Sequence, residues 1–548
     1  MGTPSREMNA VRPRENILIL VAHLHEDRSR KQDRDILQSM AGLHIASLLD
    51  RSKYRLRLYH EMWHGPYPTA AIKPNEFAIV FLTGLQMDFD RMRQLSYFFQ
   101  RAGAVVVAGG SICTLFPEFA ARFFSVVCNG GVECVVEVMR DYECGSLKPL
   151  YRSPQNKIRR YEVDYRFMRE NGITVPVHFV EASRGCNFKC DFCSVPAEKA
   201  AHAVYDLRDI ALNINNSIDS SPRFSIRRLY PFVSFIDNNF SNNLGHLREI
   251  CRILKENKRV KMWGALITQD LLRNHELIRL MADSKCRDIF TGIESVNFGF
   301  NRFHEKLQNV KGSATLYDDS EYAESFGMMI GYGYLFDPRI TSIEQMKAEL
   351  RLILQSDLLH HPYFISFVAP LAGTKLFWQA VDRGDLLPNL RLRDLDGRCI
   401  AYRNTVDDLA SLGEFAATIF RTPQIYCSRK KTIIRFLCHA CQHGRKNPIL
   451  SYLFLRNRAR LKHLGRKHSN TIKRNYVGGR EILDPQYAEY PPDISPEDKL
   501  KYFNPVFVTD AEGRATEWLE GYRPIFNRAG CGETPEQLHQ DACNTKLI

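Results

Sequence analysis

Glu181-Ala182-Ser183-Arg184-Gly185-Cys186-Asn187-Phe188-Lys189-Cys190-Asp191-Phe192-Cys193 is the stretch that decides the fold. It carries three cysteines at C-x3-C-x2-C spacing, and the apolar-rich segment 177–181 that leads into it is typical of a strand. Three thiolates so close can surround one corner of an iron–sulfur cube. Most [4Fe-4S] clusters take four cysteine ligands, so a loop with three leaves one iron open to a substrate or cofactor. The aromatic Phe192 can shield the edge of the cluster.

A zinc site, or buried cysteines that meet by chance, is the alternative interpretation of this loop. A structural zinc ion takes four protein ligands. The nearest further cysteine or histidine along the chain is His202, which is too far away to complete the set locally. The spacing therefore favours the cluster.

The three cysteines, with an aromatic residue before the third, resemble the cluster loop of radical S-adenosylmethionine (SAM) enzymes. The resemblance implies that Cys186, Cys190 and Cys193 hold a [4Fe-4S] cluster whose open iron binds SAM, with Phe192 in the cofactor site. It also implies that an electron from the cluster splits SAM into methionine and a 5′-deoxyadenosyl radical, which takes hydrogen from an unactivated C–H bond. A donor such as flavodoxin or ferredoxin would supply that electron.

Length and composition set the broad class. The 548 residues are too many for one core, so we expect two or three domains. No apolar run reaches the length of a membrane-spanning helix, and the first 15 residues have no apolar signal core, so we expect a cytoplasmic protein. In that compartment the 15 cysteines are expected to be thiols or metal ligands. The net charge of +13 favours anionic partners.

Residues 1–150 alternate between strand and helix patterns, which predicts a doubly wound parallel sheet. The predicted strands are 17–22, 54–59, 77–82, 104–108 and 125–128, and the predicted helices are 35–49 and 89–102. Ligands of such sheets bind at the carboxyl ends of the strands. Gly109-Gly110 and Gly130-Gly131 lie at two of those ends, where a backbone without Cβ can approach a large flat ligand.

This order of elements resembles the cobalamin-binding domain of class B radical SAM enzymes. The resemblance assigns Thr83, Gly109, Gly110, Gly131 and Glu133 to the cobalamin site. The Asp-x-His-x-x-Gly loop that gives other cobalamin proteins a histidine for cobalt is absent, so a domain that has lost its ligand is the alternative. His23 and His25 follow the first strand without that pattern, and surface positions are favoured for His60 and His64.

Residues 151–395 alternate again and predict six β/α units. The strands are the one before the cluster loop and 232–237, 260–268, 288–295, 328–337 and 363–368; the helices are 200–218, 246–257, 269–284, 316–326 and 343–354. A full eight-unit barrel takes about 250 residues, and six units fit the partial barrel of the radical SAM fold. Residues 147–157 are predicted to be the linker between the domains.

Chemistry-bearing side chains follow these strands. Asp237 and Asn239 resemble the polar turn of the family that lies beside SAM. Glu294 resembles the glutamate that contacts the ribose or methionine part of SAM, and a carboxylate accepts hydrogen bonds from hydroxyl or ammonium groups. For Asp337, which precedes Pro338, we expect a helix N-cap.

Residues 396–548 are predicted to form a third, helical or irregular region that caps the barrel. Segment 429–474 is strongly basic, with apolar residues recurring through it, and a solvated basic face is favoured over binding of an anionic substrate or RNA. Cys438 and Cys441 form a C-x2-C pair without identifiable partners. The aromatic–proline stretches 487–492, 502–505 and 522–524 would line a pocket or pack as irregular coil on the barrel.

The function implied by the resemblance is methylation of an unactivated carbon in specialised biosynthesis, with methylcobalamin as the methyl donor and a small molecule or peptide as the substrate. Radical rearrangement, cyclisation or oxidation, with or without cobalamin, is the alternative. A methylthiotransferase acting on transfer RNA would need three further cluster cysteines, and Cys113, Cys128, Cys134 and Cys144 lack that pattern, so nucleic acid is not an expected partner. A non-enzymatic iron–sulfur or zinc protein is the hypothesis from another class.

Overall fold

Two six-stranded parallel sheets form the framework of the protein. The structure is a computed structural model, and it describes residues 15–23, 40–153, 162–173, 177–199, 201–296, 298–310, 315–355, 362–421, 437, 441, 477–479 and 490–523. Within these ranges no helix combines the length and the apolar character that crossing a membrane requires.

The first sheet has the strand order β2-β1-β3-β4-β5-β6 and is parallel throughout. Its strands are β1 (Glu15–Val21), β2 (Tyr54–His60), β3 (Ile79–Gly84), β4 (Val105–Gly110), β5 (Val126–Asn129) and β6 (Leu150–Arg152). Its helices are α1 (Ala41–Leu48), α2 (Glu61–His64), α3 (Phe89–Arg101), α4 (Ser111–Leu115), α5 (Pro117–Ala120) and α6 (Cys134–Glu143).

Both faces of this sheet are covered. Leu18 and Leu20 of β1 point into one apolar core, and Ile17 and Ile19 point into the other. A strand buried on two faces needs a continuous apolar run, which is why the central strands were visible in the sequence. The predicted doubly wound parallel sheet is confirmed.

The strand β6 lies inside segment 147–157, which was predicted to be a linker, so that prediction is wrong at residues 150–152; residues 154–157 lie outside the described ranges. β6 pairs with β5 through Val127 opposite Leu150, and the carbonyl of Pro149 accepts a hydrogen bond from the Val127 amide. A strand of three residues beside a proline has no periodicity that a sequence pattern can reveal.

The second sheet has the order β14-β13-β12-β11-β10-β7 and forms the predicted six-stranded partial barrel. Its strands are β7 (His178–Val180), β10 (Phe232–Phe235), β11 (Met262–Ile267), β12 (Cys286–Glu294), β13 (Met329–Phe336) and β14 (Pro362–Phe367), while β8 (Ser183–Arg184) and β9 (Ala203–Val204) form a separate antiparallel pair. The helices are α7 (Arg166–Glu170), α8 (Ser194–Ala197), α9 (Leu207–Asp219), α10 (Ile226–Leu229), α11 (Leu244–Glu256), α12 (Gln269–Leu272), α13 (His275–Asp283), α14 (Phe298–Phe303), α15 (Leu307–Val310), α16 (Leu316–Ser325), α17 (Ile343–Gln355) and α18 (Lys375–Arg383).

Two predicted helices of the barrel differ from the observed ones because polar residues cap them. Segment 269–284 is split into α12 and α13, and the side chain of Asn274 accepts a hydrogen bond from the amide of Leu277 at the start of α13. Helix α9 begins at Leu207 and not near residue 200, with Asp206 as its N-cap. Helices α14 and α15 were not predicted.

The C-terminal region contains α19 (Leu409–Arg421) and α20 (Pro496–Asp498). Residues 490–523 pack on the first domain: Trp518 stacks on Phe119 at 4.1 Å between ring centroids, and Arg93 of α3 donates to the carbonyl of Lys501. Tyr502 and Tyr522 of the aromatic stretches contact rings of the first domain, and Arg523 also pairs with Asp382 of α18 in the barrel, so these stretches pack on both.

Most of the basic segment 429–474 and Cys438 lie outside the described residues, and Cys441 is exposed. The domain boundaries near 150 and 395 stay predictions.

Candidate active site

The cluster loop runs from the end of β7 to the start of α8, where Cys193 is the N-cap residue. Cys190 is buried, and Cys186 and Cys193 are partly exposed. Side-chain amides approach two of the sulfur atoms: Asn239 Nδ2 lies 3.8 Å from Cys186 Sγ, and Gln308 Nε2 lies 3.5 Å from Cys190 Sγ. Such N–H···S contacts favour sulfur that carries negative charge, as it does when bound to iron.

The loop suits thiolates only when a metal cluster holds them. Burial raises the pKa of Cys190 and raises that of Cys193 to about 12, so the free thiols would stay protonated. No group of three Cys, His, Asp or Glu side chains in the described residues could hold a single metal ion. Each thiolate of a [4Fe-4S] cluster binds a different iron, and three soft thiols with amide donors beside two of them fit such a cluster.

A buried chain of charges fastens the loop to the end of β13. Asp191, between two of the cysteines, lies 3.0 Å from Nδ1 of His304, and Nε2 of His304 lies 3.1 Å from Oδ2 of Asp337. Arg339 closes the chain, with Nη2 2.6 Å from the same Asp337 oxygen. Asp337 and His304 are fully buried. The expected N-cap role of Asp337 is wrong, because α17 begins only at Ile343 and the carboxylate is used in this chain instead.

The charges in this chain support one another. Burial alone would lower the pKa of His304, but the charges of Asp191 and Asp337 and their hydrogen bonds outweigh it and raise the pKa. Burial would raise the pKa of Asp337, but Arg339 and His304 hold it well below the usual range. The loop is thus anchored through alternating opposite charges.

Glu294 lies at the end of β12 and forms an ion pair with Lys306, which follows α14. The Lys306 ammonium is also 5.9 Å from the centroid of the Phe192 ring, so it connects Glu294 to the cluster loop. Glu294 has a φ of 61°, an unusual conformation for a residue with a side chain. A Cβ on Gly292 would meet the Lys306 ammonium at 2.6 Å, so the glycine makes room for this pair.

Asp237 and Asn239 surround the start of the cluster loop. Asp237 accepts hydrogen bonds from the amide of Ala182 at 3.1 Å and from the hydroxyl of Ser183 at 2.5 Å. Burial raises the pKa of Asp237 to about 7. The structure thus brings Asp237, Asn239, Glu294 and Phe192 around the cluster cysteines, and their contacts with SAM stay predictions.

A cavity of about 340 Å³ opens between the carboxyl ends of the first sheet and the cluster loop. The structure brings four predicted cobalamin-site residues into its wall, Thr83, Gly109, Gly110 and Gly131, but not the fifth, Glu133, whose carboxylate accepts a hydrogen bond from Arg184 instead. The wall continues through other residues of both domains, namely Met40, Ala41, His44, Ile45, Phe81, Leu82, Val107, Ala108, Cys128, Gly130, Val132, Val135, Glu181, Arg184 and Ile236. Neither His60 nor His64 is in this wall; the favoured surface position is wrong for His60, which is buried at the end of β2, and His64 Nε2 lies 2.7 Å from the carbonyl of Asn171.

Two adjacent glycines at this cavity differ in whether the fold itself requires a residue without a side chain. Gly110 has a φ of 111°, and a Cβ there would lie 2.5 Å from the carbonyl oxygen of Gly84 in the neighbouring strand. For Gly109 the nearest atom to such a Cβ is the Cβ of Cys128 at 3.9 Å, an ordinary contact, so the fold itself does not require glycine. The space above Gly109 is what a large ligand lying against the backbone would use, and the cavity therefore fits part of a cobalamin.

Comparisons with known proteins identify solved structures with the same fold, but they identify no protein family. No family model and no curated protein matches the sequence. The solved structure of OxsB with aqua-cobalamin bound, described as a cobalamin-dependent SAM radical enzyme, is 13% identical, with a TM-score of 0.53 over 85% of this chain and 77% of that chain. The chain has the OxsB fold. OxsB with both aqua-cobalamin and SAM bound gives the same values.

A further solved structure is less similar. The radical SAM methyltransferase TsrM from Kitasatospora setae, with tryptophan substrate and a SAM analog bound, is 13% identical, with a TM-score of 0.48 over 69% of this chain and 78% of that chain.

Several residues of the site were missed by the sequence analysis. Lys306 and Gln308 come from the unpredicted segment between β12 and α16, and His304 directly follows α14. Arg184 lies inside the loop that the sequence singled out, but only its cysteines carried a signal. His44 is on the predicted helix α1, and burial lowers its pKa to about 4, so it is neutral in the cavity wall.

Proposed function

We propose that this protein is a cobalamin-dependent radical SAM enzyme that methylates an unactivated carbon of a small molecule or peptide. The observation that carries the proposal is a shared wall: Glu181 and Arg184 line the cavity of the first domain, and Arg184 is two positions before Cys186. The fold of OxsB, a cobalamin-dependent SAM radical enzyme, supports the same conclusion.

The chain would hold three groups with different residues. Cys186, Cys190 and Cys193 would hold the [4Fe-4S] cluster, and the glycine-lined cavity would hold one part of cobalamin. When bound, the cluster would supply the electron that splits SAM, and cobalamin would supply a transferable methyl group. Flavodoxin or ferredoxin is the proposed source of the electron.

Glu294 and Lys306 would orient SAM. A carboxylate accepts hydrogen bonds from hydroxyl and ammonium groups, and an ammonium group donates to a carboxylate. The methionine part of SAM carries an ammonium and a carboxylate, so a buried pair of opposite charges beside the cluster loop matches it. SAM would have to share or displace the contact between Glu294 and Lys306.

Apolar side chains beside the loop would exclude water from the reacting atoms. Phe192 packs with a small cluster of buried side chains whose members are Phe300, Ile340, Val368 and Leu376. A dry site protects reactive species and strengthens the electrostatic contacts inside it.

The test uses SAM itself and needs no knowledge of the substrate. The anaerobically reconstituted and reduced protein is incubated with SAM, with and without hydroxocobalamin, and the products are quantified. We expect 5′-deoxyadenosine in both cases and S-adenosylhomocysteine only when cobalamin is present. The Cys190→Ala variant should form no 5′-deoxyadenosine, whereas Cys144→Ala, which changes an exposed cysteine, should match the parent.

Other outcomes point to other functions. If 5′-deoxyadenosine forms and cobalamin never leads to S-adenosylhomocysteine, methylation is wrong and a radical rearrangement, cyclisation or oxidation takes its place. If the reduced protein does not cleave SAM at all, the chain is a non-enzymatic metal protein.

A further inference from the structure

We propose that Arg184 is a positioning residue that couples the cavity of the first domain to the cluster loop, so that a change at Glu133, next to the wall residue Val132, alters SAM binding at the cluster. The inference rests on the proposed function, in which the two places hold two cofactors of one reaction. It concerns the side chains between them and assigns Arg184 no part in bond making.

The guanidinium of Arg184 joins three separate elements. Nη1 donates to Glu133 Oε1 at 2.8 Å, and Glu133 belongs to the loop between β5 and α6. Nε donates to Glu181 Oε2 at 2.9 Å, directly after β7. Nη2 lies 3.2 Å from Nδ1 of His44 on α1. One side chain of the cluster loop therefore contacts both sides of the junction between the first domain and the barrel.

A second set of contacts holds the guanidinium in place. It lies 5.5 Å from the centroid of the Tyr205 ring, and the Tyr205 hydroxyl donates to the same Glu181 oxygen at 2.6 Å. The side chains of Arg184, Glu133 and Glu181 are 21%, 12% and 17% exposed, so water screens these charges weakly. A guanidinium held by two carboxylates in a partly buried place keeps its geometry better than a surface ion pair.

The contacts of Arg184 argue against an anion-binding role. The guanidinium faces two carboxylates, and His44 beside it is neutral because burial lowers its pKa. Two negative charges and one positive charge would repel a phosphate or a carboxylate. The arrangement acts as a clamp between protein segments.

The main chain connects Arg184 and its contacts to the first cluster cysteine. Gly185, the next residue, donates its amide to Asn238 Oδ1 at 3.1 Å and accepts from Asn242 Nδ2 at 3.2 Å. Asn242 Oδ1 in turn lies 3.8 Å from Cys186 Sγ and accepts from Asn239 Nδ2 at 3.0 Å. A shift of Arg184 therefore reaches Cys186 within two residues of chain.

The test measures SAM binding in variants that carry their substitution in the first domain. Glu133→Gln keeps the size of the side chain and removes its charge, and it lies outside the cluster loop. Glu137→Gln is the matched control, because Glu137 is one turn further along α6, is 48% exposed and pairs with Arg140. Each anaerobically reconstituted variant is checked for iron and sulfide content and then titrated with SAM, with the electron paramagnetic resonance (EPR) spectrum of the reduced cluster as readout.

We expect Glu133→Gln to weaken SAM binding about fivefold or more and to change the EPR spectrum, at unchanged iron content. Arg184→Gln should have at least the same effect, the double variant should be no worse than Arg184→Gln alone, and Arg184→Lys should recover part of the loss. Glu137→Gln should match the parent.

A Glu133→Gln variant with the parent's SAM affinity and EPR spectrum would overturn the inference, as would additive effects in the double variant. A failure of the proposed function has a different signature. A parent protein that binds the cluster and SAM but no corrinoid refutes cobalamin use, while the comparison of Glu133→Gln with the parent still decides the coupling. A parent that takes up no cluster refutes both.

Discussion

Asp237 is the buried carboxyl group at the start of the cluster loop, and its pKa makes it a reporter of the folded loop. Burial raises this pKa to about 7 from an ordinary value of 3.8. Between those two values the folded protein holds a proton that the unfolded chain releases. The stability of the fold should therefore fall as pH rises from about 4 to about 7, by up to about 4 kcal/mol from this group.

Asp237→Asn should remove this dependence, because the carboxamide has no ionisable proton and its oxygen can still accept from the Ala182 amide. The measurement is urea denaturation of the cluster-free protein across this pH range, with Asp283→Asn as the same change at an exposed position. The unfolding free energy of Asp237→Asn minus that of the parent should increase toward pH 7. A constant difference would show that Asp237 is ionised throughout.

At the scale of single residues, the sequence reveals those functional residues that belong to a recognisable local motif. The spacing of Cys186, Cys190 and Cys193 pointed to a cluster, and paired glycines after strands pointed to a ligand near Gly109 and Gly131. It could not reveal His304 or Lys306, because each acquires its role from a partner that only the folded chain brings near: Asp191 for one and Glu294 for the other. A lone histidine or lysine has no pattern.

The ends of β3, β4 and β5 line the cavity. Substitutions at the two adjacent glycines that end β4 separate an effect on protein stability from an effect on ligand binding. Gly110→Ala would place a Cβ 2.5 Å from the carbonyl oxygen of Gly84 at a φ of 111°, so we expect this variant to be destabilised by about 2 kcal/mol or more. Gly109→Ala has space for its Cβ in the protein, so it should keep the parent's stability and lower corrinoid affinity about tenfold.

Urea denaturation and titration with hydroxocobalamin measure the two effects separately. Equal loss of stability in both variants would contradict the description of the β4 end. Unchanged corrinoid affinity in a folded Gly109→Ala variant would show that the ligand does not lie against Gly109.

The chain of charges from Asp191 to Arg339 ties the cluster loop to the end of β13. Asp337→Asn would leave the buried guanidinium of Arg339 without its carboxylate, and breaking a buried pair in this way costs about 3–5 kcal/mol. Urea denaturation should show this loss, together with lower iron content after reconstitution. Glu344→Gln, which breaks the exposed pair with Lys347, is the control and should leave the unfolding free energy unchanged. A stable Asp337→Asn variant with full iron content would show that this chain does not hold the loop.

Helices and strands were predictable where burial requires a regular pattern of apolar residues. They were not predictable where a single polar residue or a pairing partner sets the position of the element. Buried parallel strands such as β1 and β13 are continuous apolar runs and were placed correctly. The break between α12 and α13 depends on one capping residue, Asn274, and β6 depends on pairing with β5. Neither of these two features produces a periodic pattern in the sequence.

At the scale of the whole molecule, the parallel sheets with their helices could be predicted from the alternation of elements, but the contacts between distant segments could not. The amide of Val506 donates to the Asp90 carboxylate at 3.0 Å, across more than 400 residues of chain. Arg184 and Glu133 meet across the junction of two predicted domains in the same way. No local pattern encodes such a pair, and the shared wall of the cavity and the cluster loop depends on one of them.

We propose that this cavity and the cluster loop hold two cofactors side by side. The most direct measurement is anaerobic purification with cobalamin supplied, followed by an ultraviolet–visible spectrum, iron and sulfide analysis, and extraction of the bound corrinoid. We predict stoichiometric corrinoid beside the iron–sulfur absorbance, with the corrinoid reduced in Gly109→Ala and the cluster lost in Cys190→Ala. A protein that carries the cluster and no corrinoid would contradict the claim.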